Sequence, residues 1–290
     1  MIPLSVIISA LMIPKEGNSQ AECEDAYCVV KGANATGGQE SGPIVAAISD
    51  GASESMLASV WSGMISWHAA HSAYYAPRAL SGRGDDYAHL VDHLLERWDS
   101  WVVDYSRRRS RSTRPLQWYD EVKLASGSFA TLLAVRLDLL GTAETVETQE
   151  MVDPGLWEAA ALGDSCLFQI RENEIVTRFP VESSTDFGLT PDLLASRNSS
   201  TGQISEHTRF MQGTVRRGDD LFLMTDALAA WFLALSESGT PDEFNEGLRQ
   251  LRIFSRAADI IEFQAWISSL VADGNLRNDD VTFIHIDIRG

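Results

Sequence analysis

The chain predicts an α+β fold in which strand-rich blocks pack as a sandwich with helices around them. Three observations lead there. Short β-rich apolar runs recur along the sequence, while stripes of helical period fall between blocks of them rather than after every strand. Arg171-Glu172-Asn173 separates two of those runs by a tight turn, which pairs them antiparallel. A doubly wound sheet would instead alternate strand and helix strictly.

Taken in order, Val6 to Met12 predicts a first strand. The opening "MIPLSVIISALMIPKEG" is apolar enough to suggest a signal peptide, but no basic residue precedes its apolar run and Pro3 and Pro14 interrupt it. Further strands are expected at Ile44–Ser49, Thr131–Leu137, Glu158–Leu162, Cys166–Arg171, Glu174–Phe179, Leu221–Thr225 and Val281–Ile288. A helix after Ser53 carries the stripe Leu57, Val60, Trp61, Met64, Ile65 and His68. A second, capped by Asp85, carries Leu90, Leu94, Trp98, Trp101, Val102 and Tyr105. A third carries Ile260, Phe263, Trp266, Ile267, Leu270 and Val271 and stops at Gly274.

The basic run "YSRRRSRSTRP" (105 to 115) reads as a solvated connector, with a docking loop for an acidic partner as the alternative. Val181 to Gln212 is polar and long enough for a flexible flap near a site. The whole, 1–290, is expected to be one domain, with a helical and basic insertion at about 85–122 and the flap-like segment at about 181–212.

The balance of 41 acidic against 23 basic residues gives a formal charge of −18, which disfavours nucleic acid and anionic membrane as partners. No segment reaches membrane-spanning length. The three cysteines, Cys23, Cys28 and Cys166, lack zinc-type pairing and suit a reduced, cytoplasmic protein.

Carboxylates collect at strand ends. Asp50-Gly51 ends "GPIVAAISDG", Asp226 ends "DDLFLMTD", and Asp279-Asp280 opens the last strand. Glu24-Asp25 precedes the apolar Tyr27–Val30, and Asp164 lies between two strands. Singly, these are turn formers or helix caps. Brought to one edge of a sandwich they would repel one another unless a cation neutralised them. All-oxygen ligation favours Mg²⁺ or Mn²⁺ over Zn²⁺.

In order and spacing, Glu24-Asp25, Asp50-Gly51, Gly127-Ser128, Gly163-Asp164-Ser165, Thr225-Asp226 and Asp279-Asp280-Val281-Thr282 resemble the blocks E-D, D-G-x-G, G-S/T-x-A, G-D-S, S-D-G and D-N/D-x-T of the metal-dependent protein phosphatases of the protein phosphatase 2C type. "GDDLFLMTDAL" is similar to that family's G-D-x-L-L-L-x-S-D-G-L. The chain looks like a divergent, bacterial-like member. The resemblance implies a four-layer αββα sandwich with two central antiparallel sheets. It implies two Mg²⁺ or Mn²⁺ ions, bridged by Asp50, with the Gly51 carbonyl on one of them, Asp226 and Asp279 completing the first ion's shell and Glu24 helping to hold the second, largely through water. Asp25 would support them, and Asp164 would hold at most a weak third ion. Asp50, Asp226 and Asp279 would then act catalytically through a metal-activated water, on phosphoserine or phosphothreonine in a protein.

Some accessories of the family are replaced. Gln20 stands where many members have a phosphate-binding Arg, Ala52 where many have a His, and Ala230 where many have a further Asp. Lys15 and Arg277 are the candidates for the phosphate contact. The replacements also support a second reading, a catalytically weak relative that binds and regulates a partner; a hydrolase for a small phosphorylated molecule is a third. His89 and His93 lack the H-E-x-x-H arrangement and read as a solvated or packed pair. There is no G-x-S-x-G elbow, P-loop or Cys-x5-Arg loop.

Overall fold

The computed structural model describes residues 4–32, 42–113, 115–139, 155–188, 191–257 and 259–289. In chain order, the elements are β1 Ser5–Ile13, β2 Ala26–Lys31, β3 Ile44–Ser49, α1 Ala58–Tyr75, α2 Asp86–Ser110, α3 Trp118–Ser126, β4 Phe129–Ala130 and β5 Leu132–Asp138. There follow β6 Gly155–Leu162, β7 Cys166–Arg171, β8 Glu174–Phe179, β9 Leu194–Ala195, α4 Thr201–His207, β10 Arg209–Val215 and β11 Asp220–Met224. The chain then runs through α5 Asp226–Ser238, α6 Pro241–Ala257, α7 Ile260–Ala272 and β12 Val281–Arg289.

Two five-stranded sheets, ordered β1-β12-β11-β7-β8 and β10-β6-β5-β3-β2, are antiparallel throughout. Side chains alternate across each strand, so one strand feeds two cores. Ile44, Ala46 and Ile48 of β3 meet Leu221, Leu223, Ile284 and Ile286 between the sheets, each buried. Val45 and Ala47 face the other way, into a core with Trp61, Ile65, Leu90, Leu94 and Trp98 of α1 and α2. Phe222, Met224 and Phe283 likewise leave the second sheet outward to meet α5, α6 and α7 at Phe232, Phe254 and Phe263. Three cores separating four layers give the expected αββα sandwich. Each fully buried Leu, Ile or Phe contributes roughly 1.5–3 kcal/mol.

Strand boundaries differ from expectation by a few residues. The strand expected from Thr131 begins at Leu132, as β5, because the Thr131 backbone N–H donates to the Asp50 carbonyl rather than continuing a ladder. At the hairpin, Arg171 pairs with Glu174 across Glu172 and Asn173, whose φ of 52° and 66° are the left-handed values a two-residue turn requires. The helix expected after Ser53 begins only at Ala58, since Leu57 takes φ 67° and residues 52–57 turn first. Gly274, with φ 73°, ends α7 as read.

The basic run is a different matter: 105–110 is helix, the last turns of α2. Part of 181–212 is ordered as β9, α4 and the start of β10. No helix among the described residues is long and apolar enough to cross a membrane.

Candidate metal centre

Asp50, Asp164, Asp226 and Asp279 line one cavity of about 760 Å³. Asp50 and Gly51 leave the end of β3 in one sheet, and Asp226 and Asp279 flank β11 and β12 in the other. Asp164 sits in the turn from β6 to β7, which passes between the sheets.

Thr131 fixes the Asp50 backbone. Its N–H donates to the Asp50 carbonyl at 2.8 Å, and its Oγ1 accepts from the Asp50 N–H at 2.9 Å. Gly51 is required by crowding: a Cβ there would lie 2.7 Å from the Glu24 carbonyl oxygen and 3.1 Å from Ala58 backbone. Asp226 is the first residue of α5, where a carboxylate gains from the helix N-terminus.

The tandem Asp279-Asp280 divides its labour. Asp279 faces the cavity. Asp280 is buried and accepts from the Lys15 N–H at 2.8 Å and the Glu24 N–H at 2.7 Å, which places the Glu24-Asp25 segment.

Asp25 lies behind the cavity wall, 4% exposed. Its Oδ2 accepts from Thr225 Oγ1 at 3.0 Å and Thr282 Oγ1 at 2.8 Å, both hydroxyls of the opposite sheet's strand ends, while its Oδ1 is buried with no hydrogen-bond partner. Glu24 is off the cavity; its carboxylate accepts from Ser53, which does line it, and pairs with Lys15 at 3.9 Å.

Burial, together with like charge, raises the proton affinity of these acids. Burial pushes Asp25 up to about 8, with Asp280 and Asp226 adding to it against the two threonine hydroxyls. Asp50 is raised well above the ordinary carboxylate range by burial and then by Asp25, Asp226, Asp279 and Asp164. Burial takes Asp164 to about 7. Asp226 is also raised by burial, though Arg277 opposes the shift.

Arg277 is hydrogen-bonded to Asp226 and lies 2.9 Å from Asp279 Oδ2. Of the replaced accessories, Ala52 lines the cavity and Gln20 does not. Lys15 is held by Ser53 and Glu24 outside it.

A side chain the sequence reading passed over, Lys123 on α3, lines the cavity and has no ion-pair partner among the described residues. The sequence held only a faint signal for it: Lys123 stands four residues before Gly127-Ser128.

Do these residues fit divalent cations? The orphaned Asp25 Oδ1 and the mutually raised cavity acids say that they do, since a hard cation would relieve both. The most compact set of possible ligands among the described residues is elsewhere, at Asp220, His285 and Asp287, whose ligand atoms lie within 4.8 Å of one another. Those atoms are already engaged. Asp220 Oδ1 lies 2.6 Å from His285 Nε2, its Oδ2 accepts from Arg252, and Asp287 Oδ2 accepts from Arg289. With Ser255 Oγ 2.6 Å from His285 Nδ1, this is a buried ion network that ties α6 to the sheet.

No family model matches the chain, and no curated sequence does either. Solved structures match over almost all of it. The S. agalactiae serine/threonine phosphatase is 14% identical with a TM-score of 0.52, covering 98% of this chain and 99% of its own. The serine/threonine phosphatase Stp1 from Staphylococcus aureus is 13% identical at 0.52, covering 99% and 96%. The Mycobacterium tuberculosis serine/threonine phosphatase PstP/Ppp is 15% identical at 0.51, covering 98% and 99%. The chain therefore has the fold of protein phosphatase 2C type enzymes, as its motifs imply.

Proposed function

We propose that the chain is a divalent-metal-dependent phosphatase that hydrolyses phosphoserine or phosphothreonine in proteins, as a single cytoplasmic catalytic domain. The observation that carries this reading is the convergence of Asp50, Asp164, Asp226 and Asp279 from both sheets on one cavity. Serine/threonine phosphatases of known structure that share the fold support the substrate class.

Asp50, the Gly51 carbonyl, Asp226 and Asp279 would hold two Mg²⁺ or Mn²⁺ ions, with Glu24 assisting through water, Asp25 supporting from behind and Asp164 offering a weak third position. Bound, such ions supply a nucleophilic water at neutral pH and positive charge for the phosphoryl oxygens. The chain's own residues do the rest. Lys123 is the cavity cation free to attract the phosphate. Arg277 screens Asp226 and Asp279, and with cations on those carboxylates it would be released to meet the phosphate.

Ala52 lines the cavity where many phosphatases of this type have a His, and none of the described residues lining it is a His. General acid help is typically worth about 10²–10⁴ in rate, so turnover is expected to be slow. That same Ala52 favours the second reading, a catalytically weak relative that binds and regulates a partner.

Hydrolysis of p-nitrophenyl phosphate across Mn²⁺ and Mg²⁺ titrations, with Asp50→Asn and Asp226→Asn in parallel, decides between them. Metal-dependent turnover lost in both variants supports the phosphatase. Folded protein without turnover at any metal concentration rejects it in favour of the regulatory relative.

A further inference from the structure

Helices α5, α6 and α7 leave a groove of about 730 Å³ between them. Its floor is apolar: Trp231 and Leu235 of α5 lie across from Trp266 and Leu270 of α7, and the two indole rings meet edge to face at 5.3 Å. Trp231 is only 9% exposed, yet its indole N–H has no hydrogen-bond partner among the described residues and is left to whatever enters the groove. Asp242, Glu243 and Glu246 of α6 supply every charge in the lining; none of the described residues there is Lys, Arg or His. Four other clefts of the fold each have a cation in theirs, at Arg277, Arg209, Arg178 and Arg197.

Local structure accounts for part of this charge. Glu243 accepts from Thr240 at the start of α6, which keeps it ionised, and Glu246 pairs with Arg249, which lies outside the groove. Asp242 has no ion-pair partner among the described residues. In a chain of net charge −18, carboxylates alone would mean little. Here they border two Trp and two Leu side chains that water still reaches. Such a floor takes apolar side chains, and an indole beside carboxylates also favours ammonium or guanidinium. The lining stretches of α5 and α6, 231–239 and 242–250, each rise about 12 Å, the length of two turns of helix.

We infer that this groove docks a short basic and apolar segment of a partner protein, with large apolar side chains on Trp231, Trp266 and Leu270 and flanking Lys or Arg on Asp242, Glu243 and Glu246. A second copy of this chain, itself at −18, is disfavoured as the occupant by charge. The groove shares no lining residue with the carboxylate cavity, so a docked segment leaves that cavity open. Docking is therefore independent of the phosphatase reading and is measured without catalysis.

The probe is a fluorescein-labelled peptide with Leu and Phe at its centre and two Lys on each side. One twin carries Glu for every Lys, and another carries Ser for Leu and Phe. Fluorescence anisotropy with the full chain is expected to show the Lys peptide binding about tenfold tighter than either twin. The double variant Asp242→Lys, Glu246→Lys should weaken the Lys peptide about tenfold and strengthen the Glu twin, a gain that misfolding cannot imitate. A matched reversal on α2, Glu96→Lys with Asp99→Lys, alters net charge equally at exposed positions and should move binding by less than about twofold. Leu270→Ala should weaken the Lys peptide about fivefold.

Equal binding of the Lys peptide and its Ser twin, or equal losses from the two double reversals, would mean attraction to an acidic surface at large and overturns the groove as a docking site. A Glu twin that gains nothing from Asp242→Lys, Glu246→Lys does the same. Sedimentation velocity of the chain alone is expected to show a monomer. Concentration-dependent association abolished by that same double variant would give the groove to a second copy and overturn its assignment to another protein.

Discussion

Raising the pH should destabilise the metal-free protein, and Asp25 sets the size of the effect. Its carboxyl titrates at about 8 in the folded chain against 3.8 as the ordinary value, because it is buried beside Asp280 and Asp226. Between those values the folded state holds a proton that the unfolded state has lost. Stability from this group is therefore full below about 3.8 and declines as pH rises toward 8, at about 1.36 kcal/mol per pH unit.

The interval from about pH 6.5 to 7.5 lies within this decline and above the range in which His68 opposes it. His68, lowered to about 4 mainly by burial, contributes a slope of opposite sign only between about 4 and its ordinary 6.5. For 290 residues the entropy of unfolding is about 0.6 kcal/mol/K, so one pH unit costs about 2 °C in Tm from Asp25 alone. Asp50 and Asp164 act in the same direction.

Differential scanning fluorimetry in EDTA across that interval, repeated with Asp25→Asn, measures the slope. The variant should reduce it by Asp25's share, and added Mn²⁺ should raise Tm more at pH 7.5 than at 6.5, since bound cations favour the ionised acids. A metal-free Tm that is flat or rising with pH, or a slope unchanged in Asp25→Asn, would refute the account of these buried acids.

Three further outcomes follow from contacts in the structure. Gly51→Ala should cost about 1–3 kcal/mol and weaken Mn²⁺ binding by calorimetry, because the new Cβ must displace the Glu24 carbonyl rather than a mobile side chain. Lys123→Ala should raise KM for p-nitrophenyl phosphate about five- to tenfold with Lys123→Arg retaining most of the affinity, a loss read from initial rates. Asp220→Ala should lower stability by about 3–5 kcal/mol in urea unfolding, since it strands Arg252 and the buried His285, whereas Ser255→Ala should cost about 1 kcal/mol.

Much of the fold was legible because central strands such as β3 are apolar on both faces and the strands end abruptly at turn signals. Cys166–Arg171 and Glu174–Phe179 match the expected runs residue for residue, as both have a turn signal at each boundary. Helix α6 was missed although Thr240 and Glu243 form a capping box at its start, with Thr240 N–H donating to Glu243 Oε2 at 2.7 Å. Its apolar positions were masked by six charged residues in seventeen. The run at 105–115 read as a connector because its charge density hid the stripe that Trp101 and Tyr105, stacked at 5.1 Å, carry onward in α2.

The cavity acids were legible as strand-end carboxylates in a family-like order. Their partners were not. Thr225 and Thr282 reach Asp25 from 200 and 257 residues away, and Ser255 meets His285 only once α6 has packed on the sheet. Lys123 depends in the same way on how α3 is laid against the cavity, which no local pattern records.

Asp25 belongs to one sheet and takes its hydrogen bonds from the other. The seam between the sheets is thereby an alignment gauge. A slide of a few tenths of an ångström, as a distant substitution among Ile48, Leu223 and Ile284 would produce, changes the separation of Asp50 from Asp226 before it exposes any apolar surface. Such substitutions should register first as altered affinity for added Mn²⁺ and only later as lost stability, so damage deep in the hydrophobic interior would present itself as a defect of the carboxylate cavity.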